Sequence, residues 1–329
     1  MPKHSRPRRG SMQFRPRVRA RRIYPKANIS NTVIMKDVKP MCFAAWKAGM
    51  THVSYIDSRG AQSPTSGKNI TKSVTVLDSP SLFVCGFRLY RKCPFSLHLL
   101  SASEHWFDSI PKELDIGRKT IPSRKKTEVK REGVSEVRLI VATQPKKSGM
   151  AKKKPDVFEV PIGGDDVGAM ISYAESMIGK ELAFKEIFKV GETVDVSAVT
   201  KGKGYEGPVK RFGIKIQRRT DKQMNRHVGS IGPTVPRTID WRVPNAGQHG
   251  FHTRTESNKR ILQFGDDPSE INPAGGFVGY GLVSGNYILI EGSVPGNKKR
   301  LVMIKKAVRP KREIPIDIKF VSQKSNQGA

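Results

Sequence analysis

Short runs in which apolar and polar residues alternate recur along this 329-residue chain. Such alternation is typical of β-strands that bury one face, and the runs are separated by clusters of glycine, proline, serine and asparagine, which favour turns. The pattern predicts strands over residues 52–56, 73–77, 81–91, 137–141, 192–200, 279–283, 287–294 and 301–308. The last three are expected to form an antiparallel meander, with turns at 284–286 and 295–297.

One stretch has a helical period instead of a strand period. Its apolar residues recur at spacings of three and four and predict a helix whose apolar face packs against a core: Val167, Met170, Ile171, Ala174, Met177 and Ile178. Asp165 is predicted to cap its start, and Gly179 lies where a helix C-cap belongs. Asp165 and Asp166 are therefore interpreted as capping residues rather than as an acid–base pair. Residues 181–188 are expected to form a second short helix.

The order of these elements predicts a mainly β fold with an α+β insert. Because strands lie on both sides of the insert and of a basic segment, one closed antiparallel β-barrel is expected to carry both as excursions. The predicted parts are a basic N-terminal arm (1–24), a first part of the barrel (25–91), the α+β insert (92–190), a barrel strand (191–200), a basic extension (201–262), a last part of the barrel (263–310) and a C-terminal tail (311–329).

The charge of the chain indicates its partner. Sixty Lys and Arg residues face 29 Asp and Glu residues, for a net charge of +31. Such an excess favours a polyanion, with nucleic acid first and an anionic membrane surface second. Residues 1–22 contain nine Lys or Arg residues and no acid, so we expect a basic arm that becomes ordered only on a polyanion. Lys-rich connectors at 118–130 and 146–154, and the run 298–300, add to the positive charge.

Residues 201–262 hold fourteen Lys or Arg residues and eight glycines, and lack a sustained apolar period apart from an alternation over 212–216 that predicts a strand. A segment of this length without its own core indicates a functional role. It begins with Gly202, Gly204 and Gly207 in the spacing G-x-G-x-x-G, which dinucleotide-binding folds use. Such folds need a helix next and an acid about 20 residues on. Here Pro208 and the predicted strand follow, and the acid at that distance, Asp221, lies among basic residues, so no nucleotide cofactor is expected.

Two interpretations of this glycine-rich stretch remain, and the stretch alone does not decide between them. In the first, the glycines let the backbone approach the phosphates of a polynucleotide, five cations add charge, and two aromatic rings offer faces for base stacking: Lys201, Lys203, Lys210, Arg211, Lys215, Tyr205 and Phe212. In the second, the glycines only make turns and the lysines form a solvated face. The basic arm and connectors favour the first.

Sites for other chemistry are sparse. His249 and His252 are three residues apart, but no Cys, Asp or Glu nearby completes a zinc site, so no metal is expected and both are interpreted as RNA-facing or packing groups. The three cysteines (Cys42, Cys85 and Cys93) are expected to be free thiols. No apolar run approaches the length of a membrane span, and no secretory signal is recognised. A cytoplasmic protein is expected.

Five stretches resemble one known family. They are KAGMTHV (47–53), TKGKGYEGPVKRFG (200–213), HVGSIGP (227–233), AGQHGFHTRT (246–255) and ILIEGSVPGNKKRLVMIKKAV (288–308). They are similar, in order and spacing, to the universal large-subunit ribosomal protein L three family, in the longer archaeal and eukaryotic form. The resemblance implies a translation-protein type β-barrel with a long extension that enters ribosomal RNA and approaches the peptidyl-transferase centre. It also implies a role in early assembly of the large subunit, with neighbouring large-subunit proteins as further partners.

Within the extension, the resemblance implies a base at 201–215, a tip at 226–242 and a return at 246–256. Many relatives have a tryptophan where this chain has Thr234, and Trp241 follows seven residues later. A glutamine that bacterial relatives methylate matches Gln248. Together the charge and the resemblance predict the RNA-binding residues Arg8, Arg9, Arg15, Arg17, Arg19, Lys201, Gly202, Lys203, Gly204, Tyr205, Gly207, Lys210, Arg211, Phe212, Lys215, Arg226, His227, Gly232, Thr234, Trp241, Arg242, Gln248, His249, His252, Arg254, Lys298, Lys299 and Arg300.

The resulting hypothesis is a structural constituent of the large ribosomal subunit, located on the ribosome, without catalytic residues, cofactor or small-molecule substrate. One alternative is an RNA-modifying enzyme with a basic recognition arm, which would need a cofactor loop or an acid–base pair. Another is a DNA-packaging protein, which would prefer duplex DNA to folded ribosomal RNA.

Overall fold

The computed structural model describes residues 10–27, 37–60, 63–96, 98–111, 114, 116, 133–235 and 237–325. The chain divides into two compact units. The smaller unit, called the extension unit, combines Met1–Ile23 with Val199–Arg254. The larger unit, called the sheet unit, combines Tyr24–Ala198 with Thr255–Ala329. Residues 255–262, which were predicted as part of the extension, therefore belong to the sheet unit.

Fifteen strands and three α-helices follow one another along the described chain. The strands are β1 (Lys39–Pro40), β2 (Cys42–Ile56), β3 (Asn69–Asp78), β4 (Leu82–Lys92), β5 (Leu99–Trp106), β6 (Glu136–Ala142), β7 (Val157–Gly163), β8 (Glu181–Leu182), β9 (Thr193–Val199), β10 (Gly202–Glu206), β11 (Gly247–Gly250), β12 (Thr253–Gly265), β13 (Tyr287–Glu291), β14 (Leu301–Lys306) and β15 (Asp317–Val321). The helices are α1 (Val167–Met177), α2 (Phe184–Ile187) and α3 (Pro208–Phe212). Short 3-10 helices occur at Met12–Phe14, Pro145–Lys147 and Pro268–Glu270.

Seven strands form the larger sheet, in the order β14-β9-β12-β13-β3-β2-β15. In addition, β14 pairs with β2, with Leu301 opposite Trp46, so six of the strands form a hydrogen-bonded ring. The last strand, β15, lies within the predicted C-terminal tail and pairs with the far end of β2. The mainly β character predicted from the alternating pattern is confirmed.

The predicted meander is wrong. Strand β13 pairs with β12 and β3, whereas β14 pairs with β2 and β9, so these two strands do not pair with each other. Residues 279–283 take part only in an isolated bridge between Phe277 and Gly281 within the described chain. Gly279 and Gly281 have φ of +75° and +112°, which interrupts an extended strand.

The core of the sheet unit explains why these apolar runs form strands. Every residue of β9 is buried, and Trp46, Phe43 and Tyr287 are among the largest buried side chains. Helix α2 packs on this core through Phe184, whose ring centroid lies 5.4 Å from that of Phe43. Burial of such side chains, at about 1.5–3 kcal/mol each, stabilises the unit.

A second sheet, in the order β1-β7-β6-β4-β5 with β8 on β4, belongs to the same unit. Strand β4 was assigned to the first part of the barrel, but it pairs with β5, β6 and β8 in this second sheet. Helix α1 buries Met170, Ile171 and Ala174, as its apolar face predicted. Its cap is Asp166 rather than Asp165, because the Asp166 carboxylate accepts the N–H groups of Gly168 and Ala169.

The extension unit contains β10, β11 and α3. The strand predicted over 212–216 is wrong, since residues 208–212 form a helix and 213–218 have no regular structure. Pro208 at the first helical position and Gly213, left-handed at φ 62°, favour this short helix. Among the described residues, no helix of either unit is long and apolar enough to cross a membrane.

Candidate nucleic-acid interface

A two-stranded antiparallel pair holds the glycine-rich stretch. Strands β10 and β11 align Gly202 with Gly250 and Tyr205 with Gln248. Gly204 has φ +71°, and no heavy atom lies within 4 Å of the place where a Cβ would be. Gly207 is equally open. The backbone at these two glycines is therefore bare, which allows the close approach of another chain's backbone.

Exposed cations and one exposed ring surround these glycines. The side chains of Lys201, Lys203, Lys210 and Lys215 are exposed, and that of Tyr205 is 80% exposed. These are the groups expected to contact phosphates and stack on bases. The structure thus brings the predicted lysines and Tyr205 to the surface of one unit.

Arg211 makes contacts inside the chain that the sequence did not predict. Its Nε donates to the carbonyl oxygen of Gln248 at 3.0 Å, and its Nη1 donates to that of Asn245 at 2.8 Å. Its guanidinium therefore ties α3 to β11, at Gln248, and to Asn245 just before that strand. Because these two nitrogens already have acceptors inside the chain, Arg211 helps to hold the site in shape.

Phe212 is the centre of an arginine cluster. The guanidinium carbons of Arg17, Arg15 and Arg211 lie 4.1, 4.4 and 5.1 Å from its ring centroid. A base would have to displace one of these groups to stack there, so Phe212 serves the chain's own arginines.

The cluster concentrates positive charge. Burial and the nearby guanidinium groups of Arg211, Arg15 and Arg254 lower the pKa of Arg17. Burial and Arg15 likewise lower the pKa of Arg211. All the charged groups that lower the pKa of Arg17 are themselves positive, so they repel its guanidinium. An anion bound beside the cluster would offset this repulsion.

The N-terminal arm makes specific contacts with the return strand. The N–H of Ala20 donates to the carbonyl oxygen of Phe251 at 2.8 Å, and Nδ1 of His252 lies 2.9 Å from the carbonyl oxygen of Val18. Arg254 lies over the ring of Phe14, 4.6 Å from its centroid. Residues 10–23 are therefore positioned by the chain itself, whereas the sequence predicted order only on a polyanion. The hypothesis missed Phe14, Val18 and Ala20, which carry little or no charge.

The two histidines differ. His252 is 5% exposed and is a packing group, and burial lowers its pKa. Nε2 of His249 lies 3.8 Å from a carboxylate oxygen of Glu206, and burial lowers its pKa as well. No group of three or more His, Cys, Asp or Glu side chains suited to a metal occurs among the described residues.

Gln248, the predicted modification site, turns its side chain toward the backbone. Its Nε2 donates to the carbonyl oxygens of His249 and Gly250 at 3.3 and 3.2 Å. A methyl group on this nitrogen would replace one of the two hydrogens, so modification would cost one of these hydrogen bonds.

The described residues of the predicted tip, 226–235 and 237–242, are exposed apart from Val228, which is half-buried. Its predicted contact residues Arg226, His227, Gly232 and Thr234 are exposed, as is Arg242. Trp241 is 57% exposed, and the guanidinium of Arg242 lies 5.4 Å from its ring centroid. Trp241 is thus an open aromatic surface near the tip, where Thr234 provides none.

The remaining predicted residues are elsewhere. Arg19 is exposed in the arm, and Lys298, Lys299 and Arg300 belong to the sheet unit, where Arg300 Nε donates to Asn297 at 2.9 Å. Arg8 and Arg9 lie outside the described residues, as does the Lys-rich connector 118–130.

The known proteins to which this chain is similar belong to one family. The family model "Ribosomal protein L3" matches residues 1–328. The chain belongs to the ribosomal protein L3 family. A "Large ribosomal subunit protein uL3" from Methanopyrus kandleri is 48% identical, over 98% of this chain and 92% of its own length. Proteins of the same description from Methanococcus aeolicus and Pyrobaculum arsenaticum are 44% and 46% identical, over 99% and 95% of each chain.

The relatives are mostly archaeal, which agrees with the predicted archaeal and eukaryotic form of the L3 family. Because the coverage is nearly complete on both sides, the similarity includes the extension unit as well as the sheet unit. The predicted family is confirmed.

Proposed function

We propose that this protein is a structural constituent of the large ribosomal subunit and binds large-subunit ribosomal RNA through its extension unit. The observation that carries the proposal is the arginine cluster around Phe212 together with the bare backbone at Gly204 and Gly207. Burial, and after it the like charges of Arg211, Arg15 and Arg254, lower the pKa of Arg17 there, and an RNA backbone supplies anions that offset those charges. Membership in the L3 family supports the same function.

The side chains divide into two roles within this function. Arg211, Phe212 and His252 hold the extension unit in shape through contacts inside the chain. The exposed groups contact the RNA: Lys201, Lys203, Tyr205, Lys210, Lys215, Arg226, His227, Trp241 and Arg242. Gly204 and Gly207 admit the sugar-phosphate backbone at close range. Cations contribute mostly affinity, and shape complementarity contributes the choice of RNA.

The finer architecture and placement belong to the same proposal. The ring of six strands is the closed, translation-protein type barrel of the family. The extension lies in RNA near the peptidyl-transferase centre, the protein supports assembly of the subunit, and neighbouring large-subunit proteins contact its surface. Its location is the ribosome.

The alternative of an RNA-modifying enzyme receives no support. The L3 family consists of structural constituents of the ribosome, not enzymes. The histidine nearest to a possible acid–base role, His249, faces a glutamate at 3.8 Å, which is beyond direct hydrogen-bond reach.

A sedimentation experiment tests the proposed function. Tagged protein in a lysate is expected to migrate with the large subunit, and Gly207→Val is expected to reduce that fraction severalfold. Gly207 has φ −66° and open space around its Cβ position, so valine fits the isolated fold and interferes only with an approaching partner. Equal incorporation of wild type and Gly207→Val would remove the close-approach role, and absence of the wild type from the large subunit would overturn the proposed function.

A further inference from the structure

The hairpin formed by β4 and β5 ends in an exposed aromatic ring. The two strands pair as far as Lys92 opposite Leu99, and the described residues 93–96 and 98 lie in the connection between them. The side chain of Phe95 in this turn is 96% exposed. Burying a phenylalanine stabilises a fold by about 1.5–3 kcal/mol, and this ring gains almost none of that from its own chain.

The surroundings of Phe95 are basic. Arg91 and Lys92 are exposed at the end of β4, and no ion pair joins either of them to another described residue. Residues 79–103 include no Asp or Glu. At the same end of the sheet, the neighbouring strand β6 begins with Glu136, whose carboxylate is already held by Nε of Arg138 at 2.8 Å. The tip therefore combines one bare ring with two unpaired cations.

We propose that this hairpin tip is a second RNA contact, in which Phe95 stacks on an unpaired base while Arg91 and Lys92 contact the adjoining phosphates. The inference rests on the proposed function, which supplies the RNA. An exposed ring flanked by cations is the usual arrangement for binding single-stranded RNA, because every base has a face to stack and a phosphate beside it.

A protein partner fits the tip less well. Stable protein interfaces bury about 800 Å² per partner, whereas the described residues of this tip offer one exposed ring, that of Phe95. A partner protein would also have to bring carboxylates for Arg91 and Lys92, whereas RNA carries one phosphate per nucleotide. One stacked base uses the single ring that the tip offers.

Cys93 provides a reporter two residues from Phe95. Its side chain is partly exposed, and hydrogen bonds from the Ser96 side chain and the Phe95 backbone lower the pKa of its thiol. Cys42 and Cys85 are buried, and burial raises the pKa of each thiol to about 12. Iodoacetamide is therefore expected to alkylate Cys93 selectively and to leave the other two as internal controls.

The decisive experiment measures the alkylation rate of Cys93 in free protein, in complex with protein-free large-subunit RNA, and in assembled large subunits. RNA alone is expected to slow alkylation about tenfold or more, with the same protection in the subunit. Protection only in assembled subunits would assign the tip to a neighbouring protein and overturn the inference. Full reactivity in both particles would also overturn it. Co-sedimentation of protein and RNA tests the proposed function separately. A failure of the proposed function can therefore be distinguished from a failure of the inference about the hairpin tip.

Variants at position 95 provide the second measurement. Phe95→Ala is expected to weaken binding to large-subunit RNA by roughly tenfold, as loss of one stacked base does, while Phe95→Trp retains the affinity. Leu100→Ala, at an exposed apolar side chain of the same hairpin, is the matched control and leaves the affinity unchanged. Because residue 95 is so exposed, both Phe95 variants should unfold at the wild-type temperature. Equal affinities for Phe95→Ala and wild type would contradict stacking.

Discussion

Gly204 and Gly250 have the same backbone φ of +71° but different surroundings. A Cβ on Gly204 would meet nothing within 4 Å, whereas on Gly250 it would lie 2.1 Å from the carbonyl oxygen of Lys201. Left-handed backbone costs an alanine about 1–2 kcal/mol at either position, and only Gly250 adds a backbone collision. The absence of a side chain at Gly250 is therefore needed for β10 to pair with β11. At Gly204 it leaves space that another molecule can approach.

The alanine variants of these two glycines test that division. Gly204→Ala is expected to reduce the protection of the β10–β11 amides from hydrogen exchange by about tenfold, the equivalent of roughly 1–2 kcal/mol. Gly250→Ala is expected to abolish most of the protection. The Tyr205 and Gln248 amides report the pairing. Equal losses in the two variants would mean that the contact with Lys201 is relieved by backbone movement.

Asp78 makes the stability of the sheet unit depend on pH. Its carboxylate accepts a hydrogen bond from the Tyr280 hydroxyl at 2.6 Å, and its other oxygen is buried without a partner among the described residues. Burial raises the pKa of Asp78 to about 6 from 3.8. Since the folded state then binds more protons than the unfolded state, this group's contribution to stability falls as pH rises from about 4 to 6, by up to roughly 3 kcal/mol.

Asp78→Asn separates this effect from that of the other carboxylates. Denaturant unfolding at pH 4 and pH 7 measures the free energy of unfolding of both proteins. The difference in the free energy of unfolding, variant minus wild type, is expected to be more positive at pH 7 than at pH 4. The reason is that wild type buries a charged carboxylate at pH 7, whereas asparagine carries no charge to bury. A difference between variant and wild type that is the same at both pH values would show that Asp78 does not titrate in this range.

At the scale of elements, Lys210 and Arg211 are neighbours in α3 with opposite roles. Lys210 is exposed, while Arg211 donates hydrogen bonds to the carbonyl oxygens of Gln248 and Asn245. Arg211→Ala removes charged donors from two carbonyls and is expected to destabilise the extension unit by about 2–4 kcal/mol. Limited proteolysis of free protein should cut Arg211→Ala first within 213–246. Lys210→Ala should be cut at the wild-type rate, and faster cutting of that variant would contradict the assignment.

A feature of the fold could be predicted from the sequence when residues close together along the chain determine it, and not when residues far apart along the chain do. Strands β3 and β6, and the buried face of α1, follow from local alternation or helical period, and the sequence predicted them. The partners of β4, β13 and β14 depend on residues far along the chain, so the pattern did not contain them. The strand over 212–216 was predicted wrongly because the alternation of Phe212, Ile214 and Ile216 outweighed Pro208 and Gly213, which favour the helix over 208–212.

The same argument applies to the interface. Exposed cations such as Lys203 could be predicted from charge alone, because long-range electrostatics depends on composition. The roles of Arg211, Phe212 and His252 could not, since each is decided by contacts with residues more than 30 positions away, at Gln248, Arg17 and Val18. The charge of the sequence was enough to identify the basic surface. Only the three-dimensional contacts show that Arg211, Phe212 and His252 support this surface while Lys203 faces outward.

At the scale of the whole molecule, the net charge of +31 predicts how binding responds to salt. Each phosphate contact releases counterions, and each contributes about −0.7 to −0.9 to the slope of log affinity against log salt. With roughly ten contacts, affinity for large-subunit RNA should fall by several decades between about 50 and 500 mM salt. A nearly flat dependence would contradict an electrostatic interface.

Two pairs of lysines can test whether the proposed interface or the net charge of the whole chain sets the affinity. Lys203 and Lys210 are exposed in the extension unit, while in the sheet unit Lys185 lies 3.1 Å from Asp266 and Lys319 lies 2.9 Å from Asp317. Changing Lys203 and Lys210 to Gln should reduce the magnitude of the slope by about 1.5, because two phosphate contacts are lost. Changing Lys185 and Lys319 to Gln removes the same net charge and should leave the slope unchanged. Filter binding across a salt series measures both, and equal reductions in the two double variants would mean that net charge, not this interface, sets the affinity.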